Sequence, residues 1–219
     1  MRFGNAGRVS MISTLVPVSA SAEMFYDAPE STMFSTEAAA VAGAVAERRR
    51  EFGTVRYCAR TALRQLGVPP VPILPGADRA PRWPAGVVGS MTHCAGYRAA
   101  VVARARELRG VGIDAEPHAA LSADMLDLVV RDEERVRLLT LAAADPGRHW
   151  DRIVFCAKEA VYKAWFPLTG RWLDFDDVSV TVHLDGTFGA RLLGAGPRDL
   201  EGRWKVDRGL VLAAISLKS

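Results

Sequence analysis

Apolar residues along the chain return with two different periods, and each change of period marks a segment. Over residues 36–66, Ala38, Ala39, Ala40, Val41, Ala44, Val45, Phe52, Val55, Ala59, Ala62, Leu63 and Leu66 recur near helical spacing, which predicts a helical region. Gly53 is a candidate break within it, and Gly67 followed by Pro69-Pro70 stops it. Residues 68–86, rich in Pro and Gly, read as loop or extended chain. Strands are predicted at 87–92, 97–104 and 111–115.

The second half repeats this order. Helical patterns cover 122–130 and 149–165, with an Arg/Asp/Glu-rich piece between them. Strands are predicted at 178–183, 188–193, 202–206 and 210–217, the last after an Asp207-Arg208-Gly209 turn. Each half is thus helix first and antiparallel strands after, although no residue-level repeat accompanies the similarity. The predicted fold class is α+β in two similar lobes with a cleft between them. Residues 1–34 read as a partly irregular N-terminal extension, 35–116 as the first lobe and 117–219 as the second.

Composition changes this picture little. Of 219 residues, 49% are hydrophobic and 24% charged, ordinary for a chain with a sizeable core. The length suits between one and two domains. Cys58, Cys94 and Cys156 form no CxxC pair, which argues against a disulfide framework and suits a reducing, cytoplasmic compartment. The formal net charge of +3 does not by itself imply a nucleic-acid partner. No run reaches the length of a membrane span. Arg2 and Arg8 before the apolar stretch 11–18, followed by Ser19-Ala20-Ser21-Ala22, resemble a signal peptide. Ser13, Thr14 and Pro17 interrupt that stretch, which reads instead as a frayed start with Met11 an alternative initiation site.

Four constellations carry candidate chemistry. Gly112-Ile113-Asp114-Ala115-Glu116-Pro117 ends a predicted strand, where residues i and i+2 share a face about 6–7 Å apart. Asp114 and Glu116 therefore point one way, and Ile113 and Ala115 face the core. Such a pair suits a hard cation such as Mg²⁺, though paired acids are also common at solvated strand ends. In Phe155-Cys156-Ala157-Lys158-Glu159-Ala160-Val161-Tyr162-Lys163-Ala164-Trp165, Glu159 and Lys163 are i, i+4 helix neighbours. Lys158 lies with Tyr162 on an adjacent stripe. The apolar setting of these charges, unlike that of a solvated helix pair, fits lysines serving an anionic ligand.

The third constellation, Gly89-Ser90-Met91-Thr92-His93-Cys94-Ala95-Gly96-Tyr97, is a polar turn able to cradle a phosphate. His93 beside Cys94 raises a nucleophile or a zinc site, but no second Cys/His pair has ligand spacing. His118, His149 and His183 read as structural or exposed. The fourth is basic: Arg48-Arg49-Arg50, Arg56, Arg60 and Arg64, opposed by Glu47 and Glu51, form either a solvated helix face or a phosphate clamp.

Taken together, these residues resemble a family. Gly112-Ile113-Asp114-Ala115-Glu116, followed about forty residues later by Phe155-x-x-Lys158-Glu159-Ala160-x-Tyr162-Lys163-Ala164, resembles the signature pair of Sfp-type phosphopantetheinyl transferases. The Ser90-x-Thr92-His93-Cys94-x-Gly96-Tyr97 turn resembles the preceding motif. Trp83-Pro84 and the stretch from Arg48 through Arg56-x-Cys58-Ala59-Arg60-x-Ala62-Leu63 resemble the enterobactin-synthetase branch, especially actinobacterial PptT-like enzymes.

The resemblance, over about residues 35–217, implies two pseudo-symmetric lobes with coenzyme A in the cleft. It implies transfer of 4′-phosphopantetheine to a serine of an acyl or peptidyl carrier protein, releasing 3′,5′-ADP. By the resemblance, Asp114, Glu116 and Glu159 hold Mg²⁺, for which Mn²⁺ can substitute. Glu159 is also the base for the carrier serine, and Lys158 and Lys163 neutralise phosphate charge. Thr92 and His93, with Arg48 and Arg56, bind the 3′-phosphate and nucleotide end, while Tyr162 and Trp172 line the pantetheine path. A cytoplasmic monomer with no nucleic-acid or membrane partner is implied.

One stretch departs from the pattern. Where the family often has a lysine and a Gly-x-x-Arg-Glu-Pro run before Trp-Pro, Pro75 and Ala80 replace the lysine and the glutamate, leaving Arg79 or Arg82 to compensate. Two other classes remain at this stage. One is a nucleic-acid module using the arginine-rich helix, which leaves the acidic cluster without a purpose. The other is a non-catalytic relative that binds coenzyme A or a carrier.

Overall fold

The structure, a computed structural model, describes residues 10–16, 19–76, 78–194 and 198–218. Arg2, Arg8, Pro17 and Ala77, which entered the sequence reading, lie outside the described residues. Two antiparallel sheets and two long helices dominate. The smaller sheet has the order β1-β3-β2, from β1 (Ala20–Met24), β2 (Val87–Cys94) and β3 (Tyr97–Arg104). The larger has the order β4-β8-β7-β6-β5, from β4 (Leu108–Pro117), β5 (Val178–Val182), β6 (Thr187–Leu192), β7 (Arg198–Asp207) and β8 (Leu210–Lys218).

The helical region at 36–66 is two helices, α1 (Ser35–Ala40) and α2 (Ala46–Gln65). The break falls at 41–45, not at Gly53, where Val41 and Val45 flank Gly43. β-Branched residues and glycine are poor helix formers. Gly53 instead lies inside α2, where an added Cβ would be 3.0 Å from the Met33 side chain. On α2, Cys58, Ala59, Ala62 and Leu63 are buried against Ala100 and Val102 of β3. The other face of β3 presents Tyr97, Ala99, Val101 and Ala103 to Ile113 and Ala115 of β4 and to Leu212 and Ala214 of β8. Covered on both faces, β3 is apolar at almost every position, as such a strand must be.

The frayed start expected near residue 11 is instead packed. Met11, Ile12, Leu15 and Val16 join the core between the sheets. The Ser19-Ala20-Ser21-Ala22 stretch leads into β1, an edge strand paired with β3. That strand is hard to read because alanine and serine have little strand preference.

Three helices connect β4 to β5: α3 (Ala123–Val129), α4 (Asp132–Ala144) and α5 (Trp150–Thr169). The charged piece between the predicted helices is α4. α5 lies on the larger sheet, with Ile153, Ala157, Ala160, Val161 and Ala164 buried among strand residues such as Val180, Phe188 and Ile215. It runs past the expected end at 165 and carries Pro167 within its last turn. Gly170, at φ 62°, ends it in a left-handed conformation.

Candidate active site

β4 and α5 approach unusually closely, and glycine allows it. A Cβ on Gly112 would overlap the Ala160 carbonyl and lie 2.7 Å from the Ala164 nitrogen. The glycine of the Gly-Ile-Asp motif is thus the contact point that brings the α5 face bearing Glu159 and Lys163 against Asp114. Across the other edge of β4, side chains stand in for a strand ladder. The Ile113 N–H donates to Ser90 Oγ, and the Ala115 N–H donates to Thr92 Oγ1, each at 3.1 Å. These two bonds hold β2 against β4 and set the height of Asp114.

A cleft of about 530 Å³ opens where α2, β2, β4 and α5 meet. Asp114, Glu116, Glu159 and Lys163 line one part, Arg48, Arg56, Thr92 and His93 another, and Tyr162, Phe166 and Trp172 the mouth. Asp114 Oδ1 accepts from Lys163 Nζ at 2.6 Å and from Thr92 Oγ1 at 3.1 Å. Its Oδ2 is buried with no hydrogen-bond partner. Burial opposes the charge of Lys163, yet Asp114, joined by Glu159 and Cys156, raises the lysine above its ordinary pKa.

Glu116 is pushed up to about 7 by burial and by the charge of Asp114, against the opposing pull of Arg152 and Lys163. Glu159 is also raised, by burial, with Lys163 opposing and Asp114 adding to the shift. Three carboxylates with two elevated pKa values and one orphaned oxygen are under-compensated by the protein. Hard oxygen donors in that condition fit a divalent cation. Among the described residues no three His, Cys, Asp or Glu side chains enclose a metal position by themselves. The Lys163 ammonium already contacts Asp114, so ligand phosphates and water would complete any coordination.

On the opposite wall Arg48 Nη1 and His93 Nε2 are 2.6 Å apart, with Glu51 within 3.6 Å of the arginine and 3.8 Å of the histidine. Burial lowers the His93 pKa, which favours the neutral imidazole that can accept from Arg48. Arg56 is buried; its Nε donates to the Ile73 carbonyl, its Nη1 donates to the Phe52 carbonyl, and it stacks over the Phe52 ring. Arg60 is paired with buried Glu37 at 2.7 Å. α2 therefore carries no continuous arginine face, since Arg56 and Arg60 point into the protein.

One residue of the sequence reading lies elsewhere. Lys158, expected beside a phosphate, is 2% exposed and does not line the main cleft, although it borders the small slot beside Glu159. Nζ donates to Glu134 at 2.8 Å, to the Val129 carbonyl at 2.8 Å and to the Phe175 carbonyl at 2.9 Å. Its neighbour Glu159 is rotated about 100° round the helix, which sends the two to different faces. The Thr92 hydroxyl is likewise committed, to Asp114 and Ala115. Burial pushes the Cys94 thiol up to about 12, the reverse of an activated nucleophile.

Sequence reasoning missed Arg152, whose Nη1 is 3.2 Å from Glu116 Oε2 and whose Nε and Nη2 donate to the Ala119 and Ala120 carbonyls. It lies one helical turn before Phe155, and only tertiary contact joins it to the strand. In the departing stretch, Pro75 and Pro81 form an isolated bridge, and the loop brings Asp78, Arg79 and Ala80 to the cleft, with Arg79 at φ 67°. Arg82 does not line it.

A cleft joining clustered carboxylates and a lysine to a cationic wall belongs to an enzyme that handles a phosphate-bearing substrate. Comparison with known proteins names the family. Residues 36–103 match the 4′-phosphopantetheinyl transferase N-terminal domain, and residues 110–215 match the 4′-phosphopantetheinyl transferase superfamily. The chain is 50% identical to 4′-phosphopantetheinyl transferase PptT of Mycobacterium tuberculosis, over 95% of this chain and 98% of that protein. It is 52% identical to 4′-phosphopantetheinyl transferase Svp of Streptomyces mobaraensis, over 94% of this chain and 89% of that one. Enterobactin synthase component D of Salmonella typhi is 37% identical over 54% of this chain and 49% of its own length.

The chain belongs to the 4′-phosphopantetheinyl transferase family. It is a transferase of the holo-acyl-carrier-protein synthase kind, and the family's general reaction moves phosphopantetheine from coenzyme A to a carrier protein.

Proposed function

We propose that this cleft seats the pyrophosphate of coenzyme A between the Asp114–Glu116–Glu159 carboxylates and Lys163. The observation that carries this is the buried, unpartnered Asp114 Oδ2 beside a lysine in the same cleft as Arg48 and His93. Asp114, Glu116 and Glu159 would hold Mg²⁺, or Mn²⁺ in its place, which supplies charge neutralisation at the phosphates. Arg48 and His93, with Arg56 behind them, receive the 3′-phosphate and nucleotide end. Arg79 occupies the rim where the family's lysine is replaced. Tyr162 and Trp172 flank the pantetheine arm.

In the reaction, the carrier serine oxygen bonds to the phosphorus that bears pantetheine, and the bond from that phosphorus to the bridging oxygen breaks. 3′,5′-ADP leaves with the electron pair. The serine proton goes to Glu159, whose raised pKa brings it nearer the working pH of a general base. Lys163 stabilises the charge that develops on the phosphate oxygens. Acyl and peptidyl carriers, including those of siderophore assembly, are the proposed acceptors.

The protein is proposed to act as a cytoplasmic monomer of an N-terminal lobe, 35–116, and a C-terminal lobe, 117–219, with β4 of the first crossing into the sheet of the second, where it pairs with β8. Among the described residues no helix is long and apolar enough to cross a membrane. Mass spectrometry of a purified carrier incubated with enzyme, coenzyme A and Mg²⁺ tests the proposal. A single phosphopantetheine addition that needs both coenzyme A and the metal supports it. Addition that persists without divalent metal overturns the metal assignment.

A further inference from the structure

The buried Lys158–Glu134 pair has no counterpart in the reaction just described, yet it lies directly behind the site. Each side chain is 1% exposed. The three protons of the ammonium meet three acceptors: the Glu134 carboxylate, the last carbonyl of α3 (Val129) and the carbonyl of Phe175. Glu134 in turn accepts from the Arg131 N–H at the start of α4 and from the Val180 N–H of β5. One ion pair thus ties α3, α4, α5, β5 and the segment after α5 together.

That last segment forms part of the cleft mouth. It leaves α5 at Gly170 and carries Trp172, which is 67% exposed and touches Tyr162 edge-on at 4.9 Å. The Trp172 indole N–H donates to Asp174 at 2.7 Å, and Asp174 begins the short turn whose first residue, Phe175, accepts from Lys158. Leu173 and Phe175 are only partly buried against the core of the larger sheet, and this chain of polar contacts fixes the backbone that carries them. A slot of about 180 Å³ lies there, lined by Lys158, Glu159, Tyr162, Trp172 and Phe175.

We propose that Lys158 is a positioning residue for the transfer: its ammonium latches the 172–175 wall to α5 through the Phe175 carbonyl and touches no phosphate. The inference rests on the reading of the cleft given above, in which Tyr162 and Trp172 flank the pantetheine arm. An ammonium already donating all three protons to buried acceptors has none left for a substrate oxygen. Exchanging those partners for a phosphate would strand the Glu134 carboxylate in the interior.

Calorimetric titration of two ligands separates the roles, because 3′,5′-ADP carries the nucleotide phosphates but lacks the pantetheine arm. Lys158→Met and Glu134→Gln are each compared with the wild-type chain at fixed Mg²⁺, with thermal melting recorded in parallel. Both substitutions are expected to weaken coenzyme A binding about tenfold, as loss of one charge-assisted hydrogen bond would, while 3′,5′-ADP binding stays within about twofold. Loss of 3′,5′-ADP affinity along with that of coenzyme A in Lys158→Met overturns the proposal in favour of a phosphate contact. Lower melting temperature with both affinities unchanged overturns it in favour of a purely structural pair. If Lys158→Met does not fold, Glu134→Gln decides alone, since a phosphate-binding lysine freed from its partner would bind both ligands at least as well. Wild-type protein that binds neither ligand refutes the reading of the cleft itself.

Discussion

Lys163 Nζ lies 2.6 Å from Asp114 Oδ1, joining the middle of α5 to the end of β4 inside the cleft, while Asp114 Oδ2 is buried without a partner. The lysine and Thr92 satisfy one oxygen of the carboxylate and leave the other without a hydrogen-bond partner. Asp114→Asn keeps the shape but removes the charge, and transfer to a carrier is expected to fall at least about 10²-fold, the scale of losing one electrostatic stabiliser. Lys163→Met should cost a similar factor in kcat with a smaller change in the KM for coenzyme A. Near-normal kcat in either variant, measured by steady-state assay, would remove the pair from the mechanism.

The raised pKa of Glu116 makes stability depend on pH and on metal. The folded chain holds this proton up to about 7, whereas an ordinary glutamate releases it near 4.5. Between those values the folded state binds more protons, so stability falls as pH rises through the window and levels off above it. Glu159 acts in the same direction. Mg²⁺ should therefore raise the melting temperature more at pH 8 than at pH 5.5. Glu116→Gln should flatten both the pH dependence and the metal response, and an equal response at both pH values would contradict the account.

Gly112 faces the Ala160 carbonyl with no room for a methyl group. Gly112→Ala must push α5 off β4, and overpacking of this kind costs about 1–3 kcal/mol. For a chain of this size each kcal/mol lowers the melting temperature by about 2–4 °C. Activity should fall further than stability, because the same shift separates Lys163 from Asp114. A calorimetric scan and an assay well below the transition check both parts.

The hydroxyls of Ser90 and Thr92 occupy equivalent places but carry different duties. Ser90→Ala and Thr92→Val each leave a buried N–H of β4 without its acceptor, at about 1–3 kcal/mol. Only Thr92 also donates to Asp114. Denaturant unfolding should place the two variants close together, while transfer activity falls clearly more in Thr92→Val. Equal activity losses would argue against a role for Thr92 in orienting the carboxylate.

Much of this protein is legible from spacing alone. Strand-like segments were legible at β2, β3 and β6, and helical periodicity placed most of α2 and α5, because burying one face of a helix imposes a period on the chain. Strand geometry aligned Asp114 with Glu116, and helix geometry aligned Glu159 with Lys163. The break before α2, the packed segment from Met11 to Val16 and edge strand β1 were not legible: stretches this short take their conformation from what they pack against.

The fate of Lys158 shows where local pattern ends. Residues 158 and 159 are neighbours in sequence and equally set in an apolar helix, yet one lines the cleft and the other is caged by Glu134, 24 positions away. Arg152 on Glu116 and the Ser90 and Thr92 bonds to β4 are likewise long-range contacts. Local periodicity assigns a residue to a face, but which partner waits on that face depends on how distant segments pack. A charged group must find that partner once it is buried, and the folded arrangement of β4, α4 and α5 is what supplied it.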